Sequence, residues 1–178
     1  MICGKISKNI GVIYSIRSFV PKCVLRTLYF GLIHPYYQYC LPIFAATYNN
    51  HLEPLILLQK KAIRIISGAR YLDHTEPLYA ENKILKLRDL YKFNLGCYAY
   101  KNPSILANFQ RSHTYNTRSR NLLLPPMERL RSSQQSVVSN TIRNWNDIPS
   151  TIQQSISIAS FKYQYKTYLL SQYNRNVN

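Results

Sequence analysis

A repeat at three- to four-residue spacing between residues 52 and 66 constrains the fold more than any other part of the sequence. The side chains on this repeat are Leu52, Leu55, Leu58, Gln59, Ala62, Ile63 and Ile66. Such spacing places side chains on one face of an α-helix, and Gly68 suits the position just after the helix ends. The other face carries Lys60, Lys61 and Arg64. The repeat therefore predicts an amphipathic helix whose apolar face must be covered by other helices.

Helical spacing also predicts elements on both sides of this segment. A first helix is expected almost from the first residue, and a second begins near Pro21. An apolar segment over residues 36–46 is expected to be kinked or broken at Pro42. After the central helix, a further helix has Asp89 in its first turn and ends near Lys101.

Periodicity fades between residues 102 and 136, where Pro, Ser, Asn and Arg are frequent. A domain boundary is therefore predicted at the start of this stretch. Within and after it, Leu122–Leu124 and Val137–Val138 are candidate short strands that pair with each other.

Two helices are predicted after these strands, one over residues 140–146 and a final one capped by Ser157. The predicted fold is mostly α and has two parts. Residues 1–101 form a helical bundle. Residues 102–178 form an irregular segment with a small β pair and two helices.

The charge balance indicates a polyanionic partner. Lys and Arg total 23 against 7 Asp and Glu, a net charge of +16, and a hydrophobic content of 46% places this charge on a folded chain. Counterion release makes RNA, DNA or a hybrid duplex the expected partner and an anionic membrane surface the second choice. Residues 27–50 carry no charged side chain, but their prolines and tyrosines favour a buried element, and no membrane span is expected.

The sequence contains few of the residue patterns that support catalysis. No aspartate pair has the spacing with which a polymerase holds two metal ions, and neither a Gly-x-Ser-x-Gly motif nor a Cys–His pair marks a nucleophile. Asp73-His74 is the nearest approach to an acid–base pair, and turn or cap chemistry is the preferred interpretation. The sequence therefore predicts no catalytic residue, no metal site and no cofactor.

The first candidate nucleic-acid contact is the polar face of the central helix. Lys60 and Arg64 lie one turn apart beside Lys61, so the three cations can follow a phosphate backbone. An ordinary solvated face is the alternative. Arg17 and Tyr14, on the first helix, extend this surface, or alternatively Tyr14 only packs.

The second candidate contact is Arg118 with Arg120, in the run Tyr115-Asn116-Thr117-Arg118-Ser119-Arg120. Two arginines among hydroxyl and amide groups suit a sugar-phosphate backbone. A structural loop is the slightly favoured alternative, because Asn and Thr side chains readily satisfy backbone donors.

These groups belong to an ordered set that extends along nearly the whole chain. The set comprises Ile10-Gly11, Tyr14, Arg17, Leu28-Tyr29, Leu32-Ile33, Pro35, Tyr39-Cys40, Gln59-Lys60-Lys61-Ala62-Ile63-Arg64, Ile65-Ile66, His74-Thr75, Pro77-Leu78, Ile84-Leu85-Lys86-Leu87, Asp89-Leu90, Tyr115-Asn116-Thr117-Arg118, Trp145-Asn146, Ile148-Pro149 and Phe161-Lys162. In this order it resembles the region after the polymerase domain of jockey-like non-LTR (LINE-type) retrotransposon reverse transcriptases. Phe44-Ala45 departs from the Trp-Gly pair usual in that family.

The resemblance implies that residues 1–101 are the thumb and its continuation, a helical bundle that grips the template–primer duplex. It assigns no activity to residues 102–178. The chain is then a fragment of an RNA-directed DNA polymerase, because it begins inside the first predicted helix and lacks the catalytic aspartates. The missing polymerase domain would be a partner, and the expected location is intracellular, in the nucleus or cytoplasm.

Two other interpretations remain open at this point. In the first, the chain is an inert remnant or a protein-interaction module with no nucleic-acid role. In the second, it is a membrane-associated helical protein. Nucleic-acid affinity that falls steeply with salt and shows little sequence preference would distinguish the binding module from the remnant.

Overall fold

Helices account for nearly all the regular structure of this protein. The computed structural model describes residues 2–44, 49–109, 122–126, 129–130 and 136–175. The helices are α1 (Ile2–Ile16), α2 (Lys22–Leu28), a π-helical segment (Tyr29–Ile33), α3 (His34–Phe44), α4 (Asn49–Ser67), α5 (Glu76–Glu81), α6 (Leu87–Lys101), α7 (Pro103–Ala107), α8 (Val137–Asp147), α9 (Ser150–Gln153) and α10 (Ile158–Arg175). The prediction of a mostly α fold is confirmed, and none of the helices in the described ranges is long and apolar enough to cross a membrane.

The chain forms two compact units. The first contains the chain up to Leu90 and the end of α10 from Tyr168, and the second extends from Tyr91 to Thr167. This division differs from the predicted parts 1–101 and 102–178. It does so because α6 and α10 each contribute to both units.

Helix α4 supplies much of the core of the first unit, as its spacing predicts. Leu52, Ala62, Ile63 and Ile66 are buried. Gly68 follows the helix with a φ of 68°, a left-handed conformation that favours glycine and ends the helix. Helices α1 and α2 contact α4, and the buried apolar side chains of these helices and of the π-helical segment are Ile6, Ile10, Ile13, Leu25, Tyr29 and Ile33.

Gln59 is the buried polar centre of the first unit, with 1% of its surface exposed. Its Nε2 donates to the Tyr29 hydroxyl at 3.1 Å and to the Leu85 carbonyl at 3.0 Å. Its Oε1 accepts from the Tyr79 hydroxyl at 3.3 Å and from the Leu87 amide at 2.9 Å. One side chain therefore joins α4 to the π-helical segment, to α5 and to the start of α6.

Of the two outcomes predicted at Pro42, a break is wrong, because α3 continues through this residue to Phe44, and a kink stays a prediction. The backbone departs from α geometry earlier, where the His34 amide donates to the Tyr29 carbonyl across five residues. Pro35 follows directly. A proline inside a helix lacks an amide donor and crowds the carbonyl four residues before it, so a widened turn at this point relieves the conflict.

The predicted β pair is also wrong within the described residues. Val137 and Val138 begin helix α8, whose N-cap Ser136 accepts the Ser139 amide through Oγ at 3.2 Å. Leu123 lies outside any strand and pairs with a side chain: its amide donates to Asn146 Oδ1 at 3.0 Å, and its carbonyl accepts from Asn146 Nδ2 at 2.9 Å. The asparagine thus satisfies the backbone groups that a neighbouring strand would otherwise bond.

Aromatic rings form the core of the second unit around Phe161, which is fully buried. The ring of Tyr100 stacks on Phe161 with a centroid distance of 4.7 Å, and the ring of Trp145 does so at 6.0 Å. Tyr165 adds a tilted contact at 5.6 Å and donates through its hydroxyl to Asn144 Oδ1. Ser160 donates its amide to Ser157 Oγ, so the predicted cap of the final helix is confirmed.

Replacement of Gln59 by Met tests its role in the first unit. The side chain keeps its approximate volume but loses four hydrogen bonds, which leaves the Leu85 carbonyl and the Leu87 amide buried without a partner. Each orphaned group costs about 1–3 kcal/mol, so denaturant unfolding should show a loss of at least about 2 kcal/mol. Lys61→Met, at an exposed position of the same helix, should change stability by less than about 0.5 kcal/mol. Equal effects of the two changes would contradict this role.

Replacement of Gly96 by Ala tests the packing of the second unit. A Cβ there would lie 2.6 Å from Tyr165 Cε1 and 3.1 Å from Ile148 Cδ1, and the buried Tyr165 ring has little room to move. Overpacking should lower stability by about 1–3 kcal/mol. Gly11→Ala is the control, because no atom lies within 4 Å of its Cβ. It should raise stability by about 0.5–1 kcal/mol through helix propensity, and a loss at Gly11 with none at Gly96 would refute the account.

Candidate nucleic-acid interface

A groove of about 610 Å³ lies in the first unit. Its walls are one side of α4, the segment from Leu72 to Glu76 with Tyr79 of α5, and the start of α6 with the residue before it. Two predicted site residues, Lys60 and Arg64, line this groove. The structure therefore places part of the predicted contact surface in a concave site.

Charged residues of both signs line the groove. Four are basic, namely Lys60, Arg64, Lys86 and Arg88, and four are acidic, namely Glu53, Asp73, Glu76 and Asp89. More than half of the chain's seven acidic residues thus line one groove. Because the formal charges cancel, the partners of each charged group decide what the groove can bind.

Three of the four acidic groups have donors inside the unit. Asp73 Oδ2 accepts the Arg70 amide at 2.7 Å, and Glu76 Oε1 lies 2.5 Å from Lys86 Nζ. Asp89 Oδ2 accepts the Tyr173 hydroxyl at 2.6 Å. Burial, together with the Asp89 carboxylate, raises the pKa of Tyr173 well above its ordinary value, so this hydroxyl stays protonated and keeps donating. These acids are used to hold the unit together.

The cations of α4 are in a different situation. Across the described residues, neither Lys60, Lys61 nor Arg64 forms an ion pair with a carboxylate. Arg64 Nε donates to the Asp73 backbone carbonyl at 3.1 Å, which orients the guanidinium without neutralising it. Lys61 is exposed but lies outside the groove. We call Lys60, Lys61 and Arg64 the α4 cationic face.

Buried residues of α4 hold the α4 cationic face in place. Gln59, with its four hydrogen bonds, directly precedes Lys60. Ala62 and Ile63, between Lys61 and Arg64, are buried at 1% and 0% exposure. The three charges are therefore presented by a helix that is fixed in the unit, and their removal should leave the core contacts intact.

Arg17 is engaged locally. Its guanidinium carbon lies 3.4 Å from the centroid of the Tyr14 ring, and Nη1 donates to the Tyr14 carbonyl at 2.9 Å. Both residues are exposed, and neither lines the groove. Arg118 and Arg120 lie outside the described residues.

Sequence reasoning missed two parts of this site. Arg88, at the start of α6, and Lys86, directly before it, also line the groove. Both are distant from α4 in sequence, so only the folded chain reveals their proximity. The pair Tyr71-Leu72 is 82% and 85% exposed in the turn after Gly68. Its one sequence signal was two large apolar residues placed between Arg70 and Asp73.

Asp73 has the predicted role in a turn, because its carboxylate accepts a hydrogen bond from the Arg70 amide. His74 is exposed and lines the groove. Over the described ranges, no three His, Cys, Asp or Glu side chains lie together in a way that could hold a metal ion.

The cysteines Cys3, Cys23 and Cys97 are free thiols, and burial raises the pKa of Cys97.

Comparison with known proteins adds no relative to this picture. No protein-family model matches the sequence. No curated protein and no solved structure matches it either. The likeness to reverse transcriptases therefore stays a prediction from the sequence, and the function has to be argued from the residues and their geometry.

Proposed function

We propose that this chain binds nucleic acid without sequence preference through the α4 cationic face. The observation that carries the proposal is that three neighbouring cations, which have no carboxylate partner among the described residues, project from a helix fixed by its buried side. In a protein with a net charge of +16, such a group is a local focus of positive potential.

The physical basis of this binding is counterion release. Lys60 and Arg64 are one turn apart, about 6 Å along the helix axis, and Lys61 lies beside them. Each cation that meets a phosphate displaces a condensed counterion, so affinity depends on the salt concentration and little on base sequence. Because α4 is already ordered, binding costs less conformational entropy than it would for cations in a loose segment.

The origin proposed for the chain is the thumb and post-polymerase region of a non-LTR retrotransposon reverse transcriptase. The support is the ordered set of residues that includes Gln59 and the α4 cationic face, together with the mostly helical fold. On this proposal the chain has no polymerase activity of its own, and such a fragment would act in the nucleus or cytoplasm. RNA, DNA and a hybrid duplex all carry the phosphates that the face requires.

The joint substitution Lys60→Gln, Lys61→Gln and Arg64→Gln tests the site. Loss of about three phosphate contacts should weaken binding to all sequences and lower the magnitude of the slope of log affinity against log salt by up to about 3. Fluorescence anisotropy with labelled oligonucleotides at several salt concentrations measures both effects. The thermal midpoint should stay unchanged because these side chains are outside the core.

The matched control is Lys5→Gln, Lys8→Gln and Lys162→Gln, which removes the same charge from exposed positions on other helices. It should lower affinity less and leave most of the slope. Equal losses in both triple variants would assign binding to net charge alone. No binding by the natural protein at low salt would instead favour an inert remnant or a protein-interaction module.

A further inference from the structure

Two large apolar side chains are displayed in the turn that follows α4. Tyr71 is 82% exposed and Leu72 is 85% exposed. Water contact with this much apolar surface is unfavourable. An exposed aromatic ring beside cations is a feature of protein surfaces on which the bases of nucleic acids stack.

Hydrogen bonds define the shape of the turn. The Asp73 amide donates to the Arg70 carbonyl at 3.2 Å, and the Arg70 amide donates to Asp73 Oδ2 at 2.7 Å. Arg64 Nε bonds the Asp73 carbonyl and so ties the turn back to α4. The Tyr71 ring is therefore presented by an ordered turn, and little entropy is lost when a ligand stacks on it.

The turn and two residues of the α4 cationic face belong to one site. Leu72 and Asp73 line the same groove as Lys60 and Arg64. The guanidinium carbon of Arg64 lies 5.9 Å from the centroid of the Tyr71 ring. A ligand that stacks on the Tyr71 ring is therefore also close to the guanidinium of Arg64 on α4.

These two features fit a nucleotide whose base is not paired. In a duplex the faces of the bases are covered by their neighbours in the stack, so a side-chain ring on the protein surface reaches them only at the cost of unstacking a base step. In a single strand the faces are accessible, and phosphates accompany each base. The net positive charge of the chain favours this occupant over an apolar or basic peptide.

We infer that the site binds single-stranded nucleic acid, with a base stacked on Tyr71 and the adjoining phosphates held by Lys60, Lys61 and Arg64. Leu72 covers the edge of the stacked base. This inference rests on the proposed function and adds to it the strandedness of the ligand.

The test compares an oligothymidine of about 20 nucleotides with a duplex of equal length, using the full chain. Tyr71→Ala should weaken single-strand binding about five-fold or more, since stacking contributes roughly 1–3 kcal/mol per base, and it should leave duplex binding unchanged. Tyr71→Phe keeps the ring and should bind like the natural protein. Tyr71→Leu keeps apolar bulk without a π-face and should resemble Tyr71→Ala.

Tyr163→Ala is the matched control, because Tyr163 is a 76% exposed tyrosine on α10 in the second unit. It should have no effect on either ligand. If Tyr71→Ala leaves single-strand affinity intact, or weakens both ligands equally, the inference is overturned. The proposed function then survives if the triple α4 variant still lowers the salt slope, whereas absence of all binding at low salt removes both.

Discussion

The buried amide of Gln59 is the interaction on which the first unit depends. A primary amide has two donors and two acceptor sites, and all four are used here. Their partners are Tyr29 in the π-helical segment, Tyr79 in α5, Leu87 in α6 and Leu85 between α5 and α6. An apolar side chain of equal size would fill the space but would leave the Leu85 carbonyl and the Leu87 amide unpaired. The amide therefore specifies how α4, α5, the π-helical segment and the start of α6 meet, as well as contributing to stability.

This arrangement determines which charges are available for binding. Three of the four acidic residues of the groove form internal contacts, namely Asp73 with the Arg70 amide, Glu76 with Lys86 and Asp89 with Tyr173. Lys60 and Arg64, one and five residues after Gln59, are left without a carboxylate partner across the described part of the chain. In this strongly basic protein, acidic side chains of the groove stabilise the fold, and the cations of the fixed helix α4 lie beside them.

Much of the helical framework could be predicted because apolar spacing reports directly on a buried helix face. It placed α4, its end at Gly68 and the start of α6 near Asp89. The same spacing included Gln59 without indicating its role, since its four partners are distant in sequence. Val137 and Val138 were interpreted as a strand from β-branched composition, yet the Ser136 cap starts a helix there. The position of Tyr71 between Arg70 and Asp73 does not predict its role, because the exposure of its ring is a property of the folded chain.

The central claim is that nucleic acid lies against α4 and the turn after it. Photocrosslinking with an oligothymidine that contains 4-thiothymidine, followed by trypsin digestion and mass spectrometry, tests this location most directly. Trypsin cuts after Arg70 and Lys83, so residues 71–83 are released as a single peptide. The account predicts that this peptide carries the principal adduct and that the α4 triple substitution reduces it. Adducts found only on peptides from residues 91–167 would contradict the account.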